Sequence, residues 1–386
     1  MINVSGINKE SIFFALWIIS LYAITIATWT NGEIIYAIGA FCFGGYLLLK
    51  NIEGHRIGMS PVNYILFLLW LFFSAFLNDS LTYRSFSFAF LVFVCSPILN
   101  SKAVFHAREK AVTLFAYSFV LIPFIATYCY VYKINLSDYG WDPLNFTAIF
   151  RHPMLLSALL GCADVVILWW IMKIKSRFFQ FLLITILLCS FFLGVISASR
   201  SALVAAAISC TLLLVWFFRL KRSLPIILLL IVGLYLASDD FFSKAERIRD
   251  KIETGKDGKY GSRTELWQSA SASFRQSPII GIGHNVRIYN NEKIVGRTEA
   301  GSGWLSVLFQ TGLVGFVLFI SIMLPSLKAI WKYRNEERLQ LVMALFVFLL
   351  LHSVFEGYFL TFGSPMAWLF WLLQGHLVLY SYNQQA

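Results

Sequence analysis

The chain has 386 residues and a formal net charge of +11, with 59% hydrophobic and only 13% charged residues. Soluble domains average roughly half apolar and a quarter charged, so this composition, with a mean hydropathy of +0.72, excludes a water-soluble globular protein and points to a bilayer. A pI near 9.3 would suit a nucleic-acid binder, but the placement of the basic residues removes that reading, and no nucleic acid is expected among the partners.

Taken in chain order, stretches long enough to cross a ~30 Å hydrocarbon core fall at 11–30, 33–50, 61–78, 83–100, 111–132, 153–173, 178–197, 201–219, 224–240, 303–325, 338–355 and 363–381. The expected fold is an all-α integral membrane protein. It forms a single polytopic domain over 1–386, of about 12 transmembrane helices, with a long outward loop subdomain at 239–302 that holds short helices between spans nine and ten. Residues 1–10 lack a basic segment of the signal-peptide kind, so the first span reads as a permanent anchor. With the N-terminus in the cytoplasm, one side receives sixteen Lys and Arg in its short loops and the other only Arg84, Lys133, Arg151 and Arg200. Basic residues resist translocation, so both termini are expected in the cytoplasm and the long loop outside. The six cysteines lie within spans without metal-ligand spacing, as small apolar residues do. No Walker, dinucleotide-binding or EF-hand pattern and no internal repeat occurs.

The outward loops hold the residues with chemistry. Arg151 and His152 stand just before Pro153, which suits a first helical turn. Asp164 is the most isolated charge within a span and is expected to face the bundle interior. Arg200 lies in a short polar turn between two apolar runs, where a guanidinium either serves a ligand or binds lipid phosphate. In the long loop, Phe241, Phe242, Ala245, Ile248 and Ile252 recur at helical spacing among basic residues, predicting an amphipathic surface helix. Ser262 and Glu265 have the spacing of a capping box, so a second helix is predicted to start there with Leu266, Trp267, Ala270 and Phe274 on its apolar side. Arg263 then sits in the first turn, where free N–H groups and the helix dipole favour an anion such as a diphosphate. Pairing with Glu265 is the alternative. His284 follows a glycine turn and is the only histidine of the loop; it can serve as a general base or be merely solvated. Glu299, two residues after Arg297, is a second candidate base. His352 and Glu356, at i and i+4, are expected to share a helical face and to form a hydrogen-bonded pair or contact a substrate hydroxyl; two ligands without a third make only a weak metal site.

Four segments carry a family resemblance when read in order: Ser199 to Leu203 (SRSAL), Ser262 to Trp267 (SRTELW), Pro278 to Gly283 (PIIGIG) and Trp304 to Gly315 (WLSVLFQTGLVG). Together they resemble the O-antigen ligase and polymerase superfamily over about residues 190–320. The resemblance implies a glycosyltransferase of the bacterial inner membrane. Its donor would be an undecaprenyl-diphosphate-linked oligosaccharide and its acceptor a glycan or lipid-linked glycan, met at the periplasmic face without nucleotide sugar, cofactor or essential metal. Membrane lipids and a chain-length regulator protein are further partners it admits. The arginine pair of the family, here Arg200 and Arg263, is implied to engage the diphosphate, with Arg151, His152, Arg297, His352 and Glu356 as possible substrate contacts.

One departure shapes the expected activity. Ligases of this family carry His-Asn just before the segment matching Trp304, where this chain has Gly301 and Ser302. Glu299, or else His284, is then expected to act as base, and the preferred activity is polymerisation of O-antigen or exopolysaccharide repeat units. The alternative is ligation of finished polymer onto lipid A core. A lipid-linked oligosaccharide transporter is the competing class, although basic residues gather at the surfaces rather than along a path through the membrane.

Overall fold

A computed structural model describes residues 9–28, 31–136, 146–197, 199–218, 263–286, 289–290, 293–294 and 300–384. They form α1 (Lys9–Ala23), α2 (Gly32–Glu53), α3 (Val62–Leu77), α4 (Tyr83–Cys95), α5 (Lys102–Ser118), α6 (Leu121–Val131), α7 (Pro153–Lys173), α8 (Arg177–Ile196) and α9 (Arg200–Phe218). Beyond these come α10 (Arg263–Gln276), α11 (Gly303–Tyr333), α12 (Glu337–His352) and α13 (Pro365–Asn383). A two-residue antiparallel ladder, β1 (Tyr289–Asn290) with β2 (Lys293–Ile294), pairs Tyr289 with Ile294.

This is a multi-pass helical membrane protein. Six helical segments among the described residues are long and apolar enough to cross a bilayer: Gly32–Glu53, Lys102–Val131, Pro153–Lys173, Arg177–Ile196, Ser201–Phe218 and Gly303–Tyr333. The helices Val62–Leu77 and Tyr83–Cys95 are apolar but shorter. Large side chains turned away from the bundle, such as Leu16, Phe178 and Phe181 at 62%, 72% and 71% exposure, are stable there only against lipid. The expected span at 224–240, the amphipathic helix at 241–252 and Ser262 of the capping box lie outside the described residues.

Several boundaries differ from the sequence expectation, each for a local reason. The stretch expected at 83–100 stops being helical at Cys95, because Pro97 disfavours helical geometry at Ser96, whose backbone is extended. The stretch at 111–132 is two helices. Pro123 has no N–H to bond the carbonyl of Phe119, and the chain turns at 119–120 before resuming as α6. α5 also starts earlier, at Lys102, with Ser101 accepting from the Val104 N–H at 3.2 Å. Arg108, one of the sixteen basic residues expected in the inward short loops, is instead fully buried in α5. Its Nη2 donates to the carbonyls of Val94 and Ser96, both at 2.6 Å. The negative end of the α4 dipole thus faces the guanidinium.

α13 is the hub. It is buried on all sides from Pro365 to Leu379 and packs against α4, α5, α11 and α12. Three of its polar side chains donate hydrogen bonds within this low-dielectric interior: Trp368 Nε1 donates to Tyr36 at 2.7 Å, Trp371 Nε1 to the Phe359 carbonyl at 3.1 Å, and Gln374 Nε2 to Tyr64 and to the Ile322 carbonyl. Asp164 is buried on α7, as expected. Of the cysteines, Cys95, Cys129 and Cys162 are buried, Cys189 and Cys210 half-buried and Cys42 exposed; all are free thiols.

The least regular part of the bundle is also tightly closed. At Gly312 the backbone of α11 takes φ 66° and ψ −173°, which divides the helix. Residues 277–286 form a strap that lies against the break. The Ile282 and Gly283 N–H groups donate to the carbonyls of Phe309 and Gln310 at 2.9 and 3.1 Å, and the Leu313 N–H donates to Pro278 at 2.8 Å. From α3, Trp70 Nε1 reaches the Thr311 carbonyl at 2.8 Å and Ser74 Oγ that of Gln310 at 3.1 Å. Backbone groups freed by the break are thereby satisfied, the condition for irregular chain within a membrane protein. Gly281 and Gly312 make the approach possible: a Cβ on Gly312 would stand 2.2 Å from the Ile279 carbonyl oxygen, and one on Gly281 2.5 Å from the Gly312 nitrogen.

Candidate functional site

The ends of α7, α9, α10, α11 and α12 meet at one corner of the bundle. α7 begins at Pro153, with His152 as its N-cap accepting from the Met154 N–H at 3.2 Å. The preceding loop is tied to the first hairpin, the Arg151 N–H donating to the Thr25 carbonyl at 3.0 Å. Arg151 and His152 are both exposed. One turn into α7, Ser157 is hydrogen-bonded to Ser197 at the end of α8, so the turn leading into α9 is held against α7.

Glycine 161 shows how closely these helices approach. A Cβ there would lie 2.6 Å from the Phe348 ring and 3.5 Å from the Ala202 carbonyl oxygen. The first turn of α9 and the last turn of α12 therefore flank the same point on α7. The start of α11 joins them, since the Gly303 N–H donates to the Ser353 carbonyl at 2.7 Å just past the end of α12. α10 reaches the corner through Trp267, whose ring is 6.2 Å from that of Phe355.

Arg200 and Arg263 are the first residues of α9 and α10; their side chains lie outside the description. Each of their helices contributes its N-terminal turn to the corner formed by residues 348–356. Leu266 and Ala270 are buried and Trp267 and Phe274 half-buried, the apolar side expected of the helix. Ala270 packs with Ala300 and Phe309. Arg297 and Glu299 lie outside the described residues.

His352 and Glu356 need correction. They do not share a helical face, because α12 ends at His352. The N–H groups of Val354 and Phe355 bond three residues back, to the carbonyls of Leu351 and His352 at 3.2 and 3.0 Å, and this tighter turn displaces Glu356. His352 is buried between the rings of Phe348 and Tyr358, at 5.5 and 5.8 Å. Glu356 is half-buried. Its carbonyl oxygen would lie 3.2 Å from a Cβ at Gly303.

His284 is not a solvated loop residue. It is 2% exposed and lies nearly parallel to Phe88 at 5.5 Å. Nε2 meets the Leu360 carbonyl at 3.0 Å and Nδ1 meets Ser85 Oγ at 3.0 Å. A carbonyl can only accept, so Nε2 carries the proton and Nδ1 accepts from Ser85. Both nitrogens are thus engaged in joining the strap to α4 and to residues 353–364, an arrangement that suits a staple better than a base. Burial pushes its pKa down to about 4, opposed by the bond to Leu360 and assisted by nearby Arg84. A depressed histidine pKa stabilises the fold above the unfolded-state value near 6.5, and this contribution is lost as pH falls towards 4. The unfolding midpoint of the wild type is expected to fall as pH drops through that window; His284→Gln, followed by thermal unfolding in detergent between pH 7 and 4, is expected to flatten the slope. An unchanged slope would contradict the staple.

The strap and the break in α11, which adjoin the candidate site, were not revealed by hydropathy. Their only sequence signal was the glycines of PIIGIG and QTG. A search of curated proteins finds no match to the chain. Residues 185–320, about a third of the chain, match the family model described as O-Antigen ligase; this stretch, which runs from α8 through the starts of α9 and α10 and the strap to α11, is what the chain has in common with that family.

Proposed function

We propose that this protein is a bacterial inner-membrane glycosyltransferase that polymerises undecaprenyl-diphosphate-linked repeat units of O-antigen or exopolysaccharide at the periplasmic face. The observation that carries the proposal is the placement of Arg200 and Arg263, within the matched domain, at the N-terminal residues of two helices that reach one corner. A guanidinium beside unbonded helical N–H groups is a strong site for a diphosphate. In this reading, twelve spans place both termini in the cytoplasm. The slot of about 160 Å³ between the C-terminal half of α10 and α11, lined by Ala270, Ser271, Phe274, Arg275, Leu305, Leu308 and Phe309, offers a mainly apolar surface on the same helix as the proposed headgroup site.

The reaction is one displacement at an anomeric carbon. Glu299 takes the proton of the acceptor hydroxyl, the oxygen attacks, and the bond to the diphosphate breaks with inversion. Arg200 and Arg263 meet the charge that develops on the leaving group, so neither a metal nor a nucleotide sugar is required. Ligation onto lipid A core is the second reading, supported by the ligase description of the matching family.

The test is purified protein in liposomes with a synthetic undecaprenyl-diphosphate repeat unit, read as a glycan ladder. Wild type is expected to give a ladder and Glu299→Gln to lose at least ~10²-fold in rate. A full-rate Glu299→Gln enzyme removes that residue as base. Product formed only after lipid A core is added makes the protein a ligase, and movement of the lipid-linked glycan across the bilayer without transfer makes it a transporter.

A further inference from the structure

The hairpin between α3 and α4 and the end of the strap form a second polar surface that the diphosphate chemistry does not use. Asn78, Asp79, Thr82, Tyr83 and Arg84 are exposed there, with the Tyr83 ring at 74%. The strap brings Asn285 against them, and Arg84 Nη1 donates to Asn285 Oδ1 at 3.3 Å. Arg84 Nε also reaches Tyr83 Oη at 3.3 Å, and the guanidinium lies 5.9 Å from the centre of that ring. Among the described residues Arg84 has no carboxylate partner.

This surface is rigidly held. Gly283, at φ 96°, passes so close to the hairpin that a Cβ would stand 2.1 Å from Ser80 Oγ and 3.1 Å from the Asn78 Cβ. Asn78 Nδ2 donates to the Gly281 carbonyl at 3.1 Å and to that of Ser74 at 2.8 Å. Asn285 takes the left-handed conformation, φ 62°, which asparagine tolerates better than most residues. Its N–H is fixed to Gln310 Oε1 at 3.0 Å. The result is an exposed aromatic face beside planar hydrogen-bonding groups, all set on backbone that is already ordered before a ligand arrives.

We propose that Tyr83, Arg84 and Asn285 form a sugar-binding subsite for the glycan chain handled at the neighbouring corner. A pyranose ring presents an apolar C–H face, which an open tyrosine ring can cover, and a rim of hydroxyls, which an amide and a guanidinium can bond in pairs. The subsite rests on the glycosyltransferase reading for its purpose but not for its chemistry. It is linked to Arg263 through α10 and the strap, so it belongs to the same ordered segment as the proposed diphosphate site. The glycan can come from the acceptor or from the donor.

The experiment uses the full chain in detergent on an array of free bacterial oligosaccharides, which lack lipid and diphosphate, and then the liposome transfer assay. Wild type is expected to bind a defined set of glycans; Tyr83→Ala, Arg84→Ala and Asn285→Ala are each expected to weaken this binding by up to about tenfold, while Tyr83→Phe, which keeps the ring face, retains it. Unfolding midpoints equal to wild type show that the variants are folded. In transfer, a raised KM for acceptor with kcat retained assigns the subsite to the acceptor, and a raised KM for donor assigns it to the donor. Binding that is absent in wild type, or equal in wild type and all three alanine variants, overturns the proposal. Glycan binding through these residues without any transfer leaves the subsite standing and defeats the glycosyltransferase reading alone.

Discussion

Arg263→Ala is expected to lower glycan transfer by ~10²–10³-fold, the usual cost of removing one fixed donor from a developing anion. Arg263 opens α10, and the same helix is anchored by Leu266 and Ala270 in the interior, so removing the guanidinium should leave the helix in place. The loss should then fall on kcat, because the charge on the departing diphosphate grows as the bond breaks. Arg263→Lys keeps the charge but loses the forked geometry and is expected to recover only part of the rate. Initial rates of ladder formation with saturating lipid-linked donor provide the measurement. A full-rate Arg263→Ala enzyme would remove the arginine from the mechanism.

Gly312→Ala is expected to produce a severe loss of stability. The backbone at Gly312, φ 66° and ψ −173°, lies in a region that is essentially reserved for glycine and costs an alanine about 1–3 kcal/mol. The new Cβ would also stand 2.2 Å from the Ile279 carbonyl oxygen and 2.5 Å from the Gly281 nitrogen, and backbone atoms cannot swing aside as the end of a side chain can. Opening that contact releases the strap's hydrogen bonds to Phe309, Gln310 and Leu313. A total above ~4 kcal/mol places the variant among severe core lesions. Gly45 is the control. Nothing lies within 4 Å of a Cβ at that position in α2, and Gly45→Ala is expected to gain up to about 1 kcal/mol from helix propensity. Thermal unfolding of both variants in one detergent checks the pair; comparable midpoints for Gly312→Ala and wild type would show that the strap can open without cost.

Much of the local architecture was legible because it depends on nearest neighbours in the chain. Pro153 after His152 announced the start of α7, and SRTELW announced α10 with its buried Leu266 and Ala270. His284 was not legible. Its chemistry as an isolated residue suits a base, and only the arrival of Ser85 and Leu360 from distant parts of the chain, which occupy both nitrogens, turns it into a staple. The pairing of His352 with Glu356 failed for a related reason: helical spacing holds only while the helix lasts, and α12 ends between them.

The sequence by itself determined the solvent of this protein, its helical class and the residues at which most helices begin, because hydropathy, proline and capping groups act over a few residues. Tertiary structure alone decided which apolar faces meet protein and which meet lipid. Leucine is equally at home in hydrocarbon and in a packed interior, so hydropathy is silent on why α13 is enclosed while Phe178 and Phe181 face outward. It also decided where the chain departs from a helix at Gly312. That break is stable only because a strap some thirty residues earlier in the chain, with α3, supplies the hydrogen-bond partners that the helix gives up.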